Sequence, residues 1–597
     1  MSASEREARR AVLWTAASAA LLCAVIAALH RASPRTAISA HGMLHAALLE
    51  RVLAHPGELP PENPFFAGEP VLYYWVFHAL GAAIAAVTGL DPLRSLELLV
   101  MAGAVALFAG CAAFARSLFG RAAAGPWVAL LVLAGAKPFA AEIVAWRRLR
   151  GGPAVLEGEY LWGLVHPVMR AMRLFDPYSL WGPLLNFFYN VTSRPLAIAS
   201  LVLVVVALRA VLARGGAARA AGLALATAAC SSFSMLFGAS TTGALGGALV
   251  ALAGSAYWRS RRASGGAAPA GEPAAAPLGA SLVARAPLAL GAIAAGFALS
   301  VPTFANILGG GAGGGLAAAT PGEMKDALLA MAESALVTLP LAVVATRGAS
   351  GDRRDFLALL VLASLVYMAG AAVVSLPMGS QNNFFQAALV PLGMAASGAL
   401  VDAEGRVAAR RALLVAALFV PTALLITAAY AGRPPVPLAS EHGELRRLPP
   451  GAPLPSLYAW LRESAAPDAV VVVDPGPPIR AMSGNTNELP AMTGRSLFTL
   501  RASHYIVSDH ADVARRVAIA RALVAGAPLG DDDARYVAAL GREVYVLLDG
   551  HGATSDPATR AAADAAYGAP AFEAGPIALY RWPRAAGPPA GAEGARP

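Results

Sequence analysis

The chain has 597 residues, of which 57% are hydrophobic and only 14% charged, and its formal net charge is +9. One soluble domain cannot bury so much apolar surface, so the composition excludes a soluble globular protein and indicates an integral membrane protein. In such a protein an excess of basic residues reports topology, so the positive charge does not indicate nucleic-acid binding.

The first apolar segment follows Arg6, Arg9 and Arg10 and runs to His30. It is about 20 residues long and lacks a small-residue cleavage site, which predicts an uncleaved membrane anchor rather than a signal peptide. The chain has three cysteines, all in apolar segments, so neither a disulfide framework nor a cysteine metal site is indicated.

Twelve apolar segments of about 20 residues predict membrane spans. They lie at residues 11–30, 71–90, 95–115, 123–141, 195–213, 220–238, 240–258, 286–304, 327–346, 356–376, 384–401 and 412–430. The predicted fold class is therefore mainly α, a polytopic helical membrane protein.

Arginine-rich turns predict the orientation of the later spans. They lie near residues 214–219, 259–262, 347–354 and 406–411 and fall on alternate turns, which the positive-inside rule makes cytoplasmic. Everything after Arg433 is then extracytoplasmic. Twelve full crossings from a cytoplasmic N-terminus would return the C-terminus to the cytoplasm. We therefore expect about 11 to 13 spans, with an unrecognised or partial crossing between residues 71 and 193. The abundance of Arg, Ala and Gly suggests a GC-rich bacterium, hence its inner membrane.

The first external loop is the densest polar and aromatic stretch between two apolar segments. Residues 38–54 predict a short helix on the bilayer surface, with apolar side chains towards lipid and Glu50 and Arg51 towards water. A proline-rich connector follows, and its rigid backbone can hold the carboxylate of Glu62 or Glu69 in place as a general base. Of the two, Glu62 is preferred because prolines flank it on both sides.

Several further side chains in this loop are predicted to contact substrate. His41 and His45 share one helix face, which suits either a two-histidine metal site or a polar contact. Tyr74 and His78 are four residues apart and are predicted to point from one helix into a common cavity. The loop residues assigned to substrate binding are His45, Asn63, Tyr73, Tyr74 and His78.

Residues 142–193 form a second polar segment and a second candidate wall of the site, with Glu159 and Asp176 as candidate substrate ligands. Arg194 follows at the external mouth of a span, where it would hold a phosphate through bidentate hydrogen bonds or extend to the lipid headgroups. Gln381, Asn382 and Asn383 begin a later span, where they would line a polar cavity or cap the helix, and both asparagines are assigned to substrate binding.

The composition changes after the last span. We expect a transmembrane domain over residues 1–432, a linker over 433–454, a small α/β domain over 455–583 and a disordered tail over 584–597. In the α/β domain, residues 469–473, 544–548 and 577–582 have the β-type composition of strands. The acidic run at residues 531–533 is typical of a helix N-terminus.

The predicted architecture resembles the GT-C superfamily of polytopic glycosyltransferases. The features that carry this resemblance are a first span, a polar external loop with a short helix, the stretch PPENPFFAGEPVLYYW before the next span, many later spans and a soluble C-terminal domain. This resemblance implies transfer of sugar from a polyprenyl-phosphate carrier, with a loop carboxylate beyond the first span as general base or metal ligand. The family usually carries an Asp near the end of that span, whereas this chain has Ser39, Ala40 and His41. His41 therefore joins Glu62 and Glu69 as a catalytic candidate.

The sequence thus predicts a membrane glycosyltransferase acting at the extracytoplasmic face, whose partners are a polyprenyl-phosphate-linked sugar, the lipid bilayer and a glycan, lipid or protein acceptor. No cofactor is evident, and beyond the spacing of His41 and His45 no motif indicates a divalent metal. A transporter or flippase of a lipid-linked glycan is the alternative from another class, and a non-catalytic GT-C-like assembly protein is a third. Transport should place charged or broken spans near mid-bilayer, whereas the polar residues gather in external loops.

Overall fold

The computed structural model describes residues 3–32, 42–138, 183–264, 280–308, 317–376, 382–402, 404–431, 453–475, 488–502, 504, 506–550 and 552–583. The chain forms two compact units. The membrane unit comprises Met1–Ala37, Glu97–Thr303 and Gly314–Pro435, and the sheet unit comprises Ile38–Leu96, Phe304–Gly313 and Val436–Pro597. The first external loop thus belongs to the same unit as the C-terminal domain, a grouping that the predicted domain boundaries do not have. The predicted linker and tail lie almost wholly outside the described residues.

Eight helices in the described part of the chain are long and apolar enough to cross a membrane. They are Glu5–Arg31, Pro92–Phe119, Arg194–Arg214, Met235–Trp258, Val283–Thr303, Gly351–Val373, Asn382–Leu400 and Ala409–Ala428. Each corresponds to one of the twelve predicted spans, so the polytopic helical fold class is confirmed.

The other four predicted spans form shorter helices. They are Val76–Thr88, Gly125–Ala134, Ala217–Phe233 and the broken pair Pro321–Ala335 and Thr338–Gly348. Hydrophobicity alone cannot reveal these interruptions, because a buried irregular turn between helices is as apolar as the helices themselves. The remaining α-helices of the described residues are Gly42–Ala54, Leu185–Phe188, Ala305–Leu308, Pro453–Ser464, Leu489–Thr493, Val513–Val524, Asp531–Ala538 and Pro557–Tyr567.

Small residues let helices of the membrane unit approach closely. A Cβ atom at Gly296 would lie 2.3 Å from the carbonyl oxygen of Ala224, and one at Gly393 would lie 2.7 Å from that of Leu131. Neither position can carry a side chain without displacing backbone. Such contacts are typical of helix packing in membranes, where van der Waals complementarity replaces the hydrophobic effect.

Strands β1 Ala317–Ala318 and β2 Val374–Ser375 pair in the membrane unit. The sheet unit contains a five-stranded mixed sheet, whose strands are β3 Val470–Val472, β4 Ser496–Leu497, β5 Val544–Leu548, β6 Phe572–Ala574 and β7 Ile577–Arg581. Their order in the sheet is β4-β3-β5-β7-β6. Strand β3 lies parallel to β4 and β5, and β7 lies antiparallel to β5 and β6. Three of these strands match the predicted β-type runs, so the C-terminal α/β domain is confirmed.

The proline-rich loop extends this sheet at its β4 edge. The backbone N–H of Leu497 donates to the carbonyl of Pro64 at 2.8 Å, and that of Ala67 donates to the carbonyl of Leu497 at 2.9 Å. Within the loop, Asn63 N–H donates to the carbonyl of Glu69 at 2.8 Å. The loop is therefore a closed hairpin that satisfies the hydrogen-bonding groups of a sheet edge, which would otherwise be open to other strands.

The helix Gly42–Ala54 is buried in protein, so its predicted position on the bilayer surface is wrong. Met43, Leu44 and Leu48 are fully buried in a core that also contains Leu457 and Leu497. Arg51 was expected to face water, yet only 2% of it is exposed. The amphipathic pattern indicates which face is apolar, but it does not distinguish lipid from protein as the surface that covers it.

Buried histidines should make this unit sensitive to acid. Burial, assisted by the charge of Arg501, lowers the pKa of His504 to about 4. Between pH 6.5 and 4 the unfolded chain binds a proton that the folded chain does not, so stability falls as the pH falls through this window. From pH 7 to pH 5 we expect a loss of about 2 kcal/mol, measured by hydrogen exchange of residues 506–524 in the full-length protein.

The control for this acid sensitivity is His504→Gln, which removes the titrating group. It should lose less stability than the parent between the same two pH values. His510, whose pKa burial also lowers, should leave a residual effect of the same sign. Equal losses in parent and variant would show that another group governs the acid response.

Candidate functional site

Glu62 is the centre of a buried ionic cluster in the sheet unit. Both terminal nitrogens of Arg542 donate hydrogen bonds to its carboxylate, at 2.6 Å and 2.8 Å, and Arg51 forms a second ion pair with it. The carboxylate also accepts hydrogen bonds from the Gly68 N–H at 3.0 Å and the Ser496 hydroxyl at 3.2 Å. Gly68 can present its N–H there because it adopts a φ of 86°, which other residues rarely do.

These contacts determine the ionisation of Glu62. Burial alone would raise its pKa, but the hydrogen bonds from Arg542, the charge of Arg51 and the Gly68 N–H together hold the pKa below its ordinary value. A carboxylate with a lowered pKa is a weaker base, and both oxygens of this one already accept charged donors. The cluster therefore suits a structural link between the loop and the C-terminal domain better than proton abstraction. The predicted catalytic role of Glu62 stays a prediction.

Asn63 is fully buried and engaged with protein groups. Its side-chain N–H donates to the carbonyl of Ile506 at 2.8 Å and lies 3.3 Å from His510 Nε2, while its oxygen accepts the Phe65 N–H at 3.0 Å. His510 in turn stacks on Phe66, with ring centroids 4.3 Å apart. Substrate could reach this amide only by displacing these partners, so its assignment as a substrate ligand remains a prediction with little geometric support.

Glu69 differs from Glu62 in its surroundings. It is half-buried, its backbone closes the hairpin, and within the described part of the chain its carboxylate makes neither an ion pair nor a side-chain hydrogen bond. Its oxygens are thus available to an incoming hydroxyl. Of the two loop carboxylates, Glu69 better meets the geometric requirement for a general base.

The structure brings together four of the predicted substrate-binding residues. His45 and His78 are both fully buried, their rings stack, and His45 Nδ1 lies 2.8 Å from His78 Nε2. The Tyr73 ring lies 6.0 Å from that of His45, and its hydroxyl bonds to the hydroxyl of Tyr74. A polar aromatic cluster therefore exists in the sheet unit.

One geometric expectation about this cluster is wrong. Tyr74 and His78 do not share a helix face, because the helix begins only at Val76 and residues 71–75 are irregular. Asn306 holds that irregular segment by donating to the carbonyls of Val71 and Tyr73. This contact spans more than 200 residues, so no local pattern could predict it.

Arg194 is the first residue of the helix Arg194–Arg214 in the membrane unit. Its guanidinium lies 4.5 Å above the ring of Phe187, and no carboxylate pairs with it among the described residues. A cation stacked on an aromatic ring keeps its N–H groups at the edges available for an oxyanion. The geometry is compatible with the predicted phosphate contact.

The structure decides less about the other residues that were predicted to contact substrate. Asn382 is buried at the start of the helix Asn382–Ala396, with Asn383 half-buried beside it, so both cavity lining and capping remain open. Four residues singled out from the sequence lie outside the described residues: His41, Glu159, Asp176 and Gln381. In the described ranges, no group of three or more His, Cys, Asp or Glu side chains could hold a metal ion.

Sequence reasoning missed a buried ionisable pair in the membrane unit. His30, in the last turn of the first span, lies 3.4 Å through Nδ1 from the carboxylate of Glu97, and both are buried. His30 Nε2 lies 3.1 Å from the carbonyl of Tyr189. The available signal was a lone Glu inside the otherwise apolar segment 95–115, since ionisable residues within spans usually mark function.

No protein-family model and no curated protein matches the sequence. Among solved structures, the fold is similar to ArnT from Cupriavidus metallidurans in the apo state, at 11% identity and a TM-score of 0.51 over 96% of this chain and 98% of that chain. The structure of the same ArnT bound to undecaprenyl phosphate is 11% identical with a TM-score of 0.48, over 89% of this chain and 92% of that chain. The Archaeoglobus fulgidus oligosaccharyltransferase in complex with Zn and sulfate is 11% identical with a TM-score of 0.42, over 89% of this chain and 68% of that chain.

At such low identity, structural similarity shows the fold and not the activity. The match to apo ArnT nevertheless spans nearly the full length of both chains, so it covers the membrane helices and the C-terminal domain alike. The predicted architecture is therefore confirmed as a fold: the chain has the fold of ArnT over nearly its full length.

Proposed function

We propose that this protein is a membrane glycosyltransferase that moves a sugar from a polyprenyl-phosphate donor to an acceptor at the extracytoplasmic face of a bacterial inner membrane. The observation that carries the proposal is the full-length match to the fold of ArnT, a GT-C glycosyltransferase. The arginine-rich turns between the later spans support an extracytoplasmic C-terminal domain, on the side where the polar loop would meet substrate.

In this reaction the acceptor hydroxyl attacks the anomeric carbon of the sugar, the bond to the donor phosphate breaks, and a base takes the hydroxyl proton. We assign the base to Glu69, whose carboxylate is half-buried and makes no side-chain bond among the described residues. Glu62 is held by two guanidiniums and is the weaker base. His41, outside the described residues, remains the alternative.

The leaving polyprenyl phosphate needs a positive partner, for which we assign Arg194. Lysine would keep the charge at this position but lose the planar fork that binds two phosphate oxygens at once. Arg194→Lys should therefore weaken donor binding by about tenfold, which corresponds to roughly 1.4 kcal/mol. Binding of a polyprenyl-phosphate sugar to the purified protein in detergent measures this effect.

The matched control for Arg194 is Arg209→Lys on the same helix, where the guanidinium stacks on Phe356. It should bind donor as the parent does. If both variants bind the donor as tightly as the parent does, Arg194 has no role in holding phosphate and serves only to anchor the span at the headgroups.

The experiment that tests the proposed function is transfer of radiolabelled sugar from a series of polyprenyl-phosphate donors by the purified full-length protein. Transfer to any added glycan, lipid or protein acceptor supports the proposal. Donor binding without transfer would favour a non-catalytic assembly protein. Movement of the intact lipid-linked glycan across proteoliposomes, again without transfer, would favour a flippase, for which buried groups such as Glu97 and His30 would be expected.

A further inference from the structure

A groove opens at the N-terminal end of the first span, within the membrane unit. Its volume is about 520 Å³, which is in the range of sites that bind small ligands. Its walls come from three segments: the first turns of the span, residues 121–130 and the turn at residues 405–407. The polar and aromatic residues of its lining are Glu7, Trp14, Ser18, Arg121, Trp127 and Arg406.

One arginine joins the three walls of this groove. The guanidinium of Arg121 forms an ion pair with Glu7 on the first span, and its Nε donates to the carbonyl of Glu404 at 3.1 Å. Glu404 belongs to a tight turn in which Asp402 Oδ1 accepts the backbone N–H groups of Glu404 and Arg406, at 2.9 Å and 2.8 Å. Such side-chain to backbone bonds fix the conformation of a turn. Arg406 is therefore held in place beside the groove.

The wall and the rim of the groove differ in chemistry. Trp14 and Trp127 give the wall two indole rings, and 66% of Trp14 is exposed, so the groove is open to the surrounding membrane. Tryptophan is enriched where the hydrocarbon of a membrane meets the headgroups. At the rim, Arg406 pairs with Glu404 at 2.6 Å, but both side chains are exposed. An exposed ion pair contributes little, so this guanidinium can exchange the carboxylate for another anion.

The segments around the groove carry an excess of positive charge. Residues 5–10, 121 and 402–411 contain seven arginines and four acidic residues. The first of these segments precedes the first span, and the last is one of the arginine-rich turns, so the positive-inside rule assigns both to the cytoplasmic side. Basic pockets between spans on that side of a membrane bind anionic lipid headgroups.

The groove is distant from the residue assigned to the donor phosphate. Trp14 and His30 are 16 residues apart on one helix, Ala3–Ala32, which corresponds to about 24 Å. His30 contacts the carbonyl of Tyr189, five residues before Arg194. A separation of this size approaches the thickness of the hydrocarbon core. A lipid in the groove therefore belongs to the leaflet opposite the one that Arg194 would face.

From these observations we propose that the groove binds an anionic glycerophospholipid of the cytoplasmic leaflet. The phosphate pairs with Arg406, whose planar fork matches two phosphate oxygens. An acyl chain lies against Trp14 and Trp127, which removes their exposed apolar surface from water and headgroups. This lipid is bound and not consumed, so the site is separate from the proposed transferase reaction and does not depend on it.

The test measures binding of three lipids to the purified full-length protein by native mass spectrometry: phosphatidylglycerol, phosphatidylethanolamine with the same acyl chains, and polyprenyl phosphate. Arg406→Gln removes the cation at the rim, whereas Ser18→Phe fills the groove and leaves every charge in place. Arg347→Gln, at an exposed arginine of another turn, is the matched control for the first variant. Ala16→Phe, on an exposed face of the first span, is the matched control for the second.

We expect Arg406→Gln and Ser18→Phe each to weaken phosphatidylglycerol binding about tenfold or more relative to their controls, with polyprenyl phosphate binding unchanged. The parent should prefer phosphatidylglycerol to phosphatidylethanolamine, and Arg406→Gln should lose that preference. Unchanged phosphatidylglycerol binding in either variant, or equal binding of the two phospholipids by the parent, would overturn the proposal. So would an equal loss of polyprenyl phosphate binding, which would assign the groove to the donor. Absence of sugar transfer by the parent would count against the transferase function alone.

Discussion

Glu69→Gln is expected to lower the rate of sugar transfer about a hundredfold or more, which is the usual contribution of a general base. The amide keeps the size and hydrogen-bonding reach of the carboxylate but cannot accept the hydroxyl proton. Donor binding should be unchanged, because the base acts on the acceptor in the transition state. Turnover of a radiolabelled polyprenyl-phosphate sugar by the purified protein measures the effect.

Glu58→Gln is the matched control for Glu69→Gln, since it neutralises an exposed carboxylate of the same loop, and it should retain the parent rate. A full rate in Glu69→Gln, with a loss of rate in His41→Ala, would assign the base to the histidine that follows the first span. Full rates in both Glu69→Gln and His41→Ala would show that the base is not among these loop residues. Glu97 would then be the next residue to replace, followed by Glu159 and Asp176.

The sequence predicts the architecture well because hydrophobic length and charge bias act locally. Eight predicted spans and three predicted strands could be placed from composition alone, since each depends on neighbouring residues. The predictions that failed depend on partners far along the chain. The helix Gly42–Ala54 has the pattern of a surface helix, and only the C-terminal core that covers it reveals that it is buried.

The same difference between local and distant partners explains which features of the candidate site could be predicted. The proline-rich loop was recognisable as rigid, and the structure shows that it is a closed hairpin. The state of its carboxylates was not predictable, because Arg542 lies 480 residues after Glu62 and nothing local marks it as a partner.

Glu62→Gln is expected to lower the free energy of unfolding of the sheet unit by about 3 kcal/mol, the cost of breaking a buried ion pair by removing one partner. The variant leaves Arg51, which is 2% exposed, without its ion-pair partner, and it leaves Arg542 with only the longer contact to Asp468 at 4.0 Å. The contribution has a definite pH dependence. Because the folded pKa of Glu62 lies below its ordinary value, the stabilisation is present at neutral pH and is lost as the pH falls below about 4.

Hydrogen exchange of residues 62–71 in the full-length protein at pH 7 measures this loss, and Glu69→Gln, which removes no ion pair among the described residues, is the matched control. A double variant, Glu62→Gln with Arg542→Gln, should recover part of the stability, because the second substitution removes a cation that the first deprived of its bidentate ion pair. If Glu62→Gln instead exchanges as slowly as the parent while losing sugar transfer, the carboxylate serves the reaction, and the base belongs to Glu62 rather than Glu69.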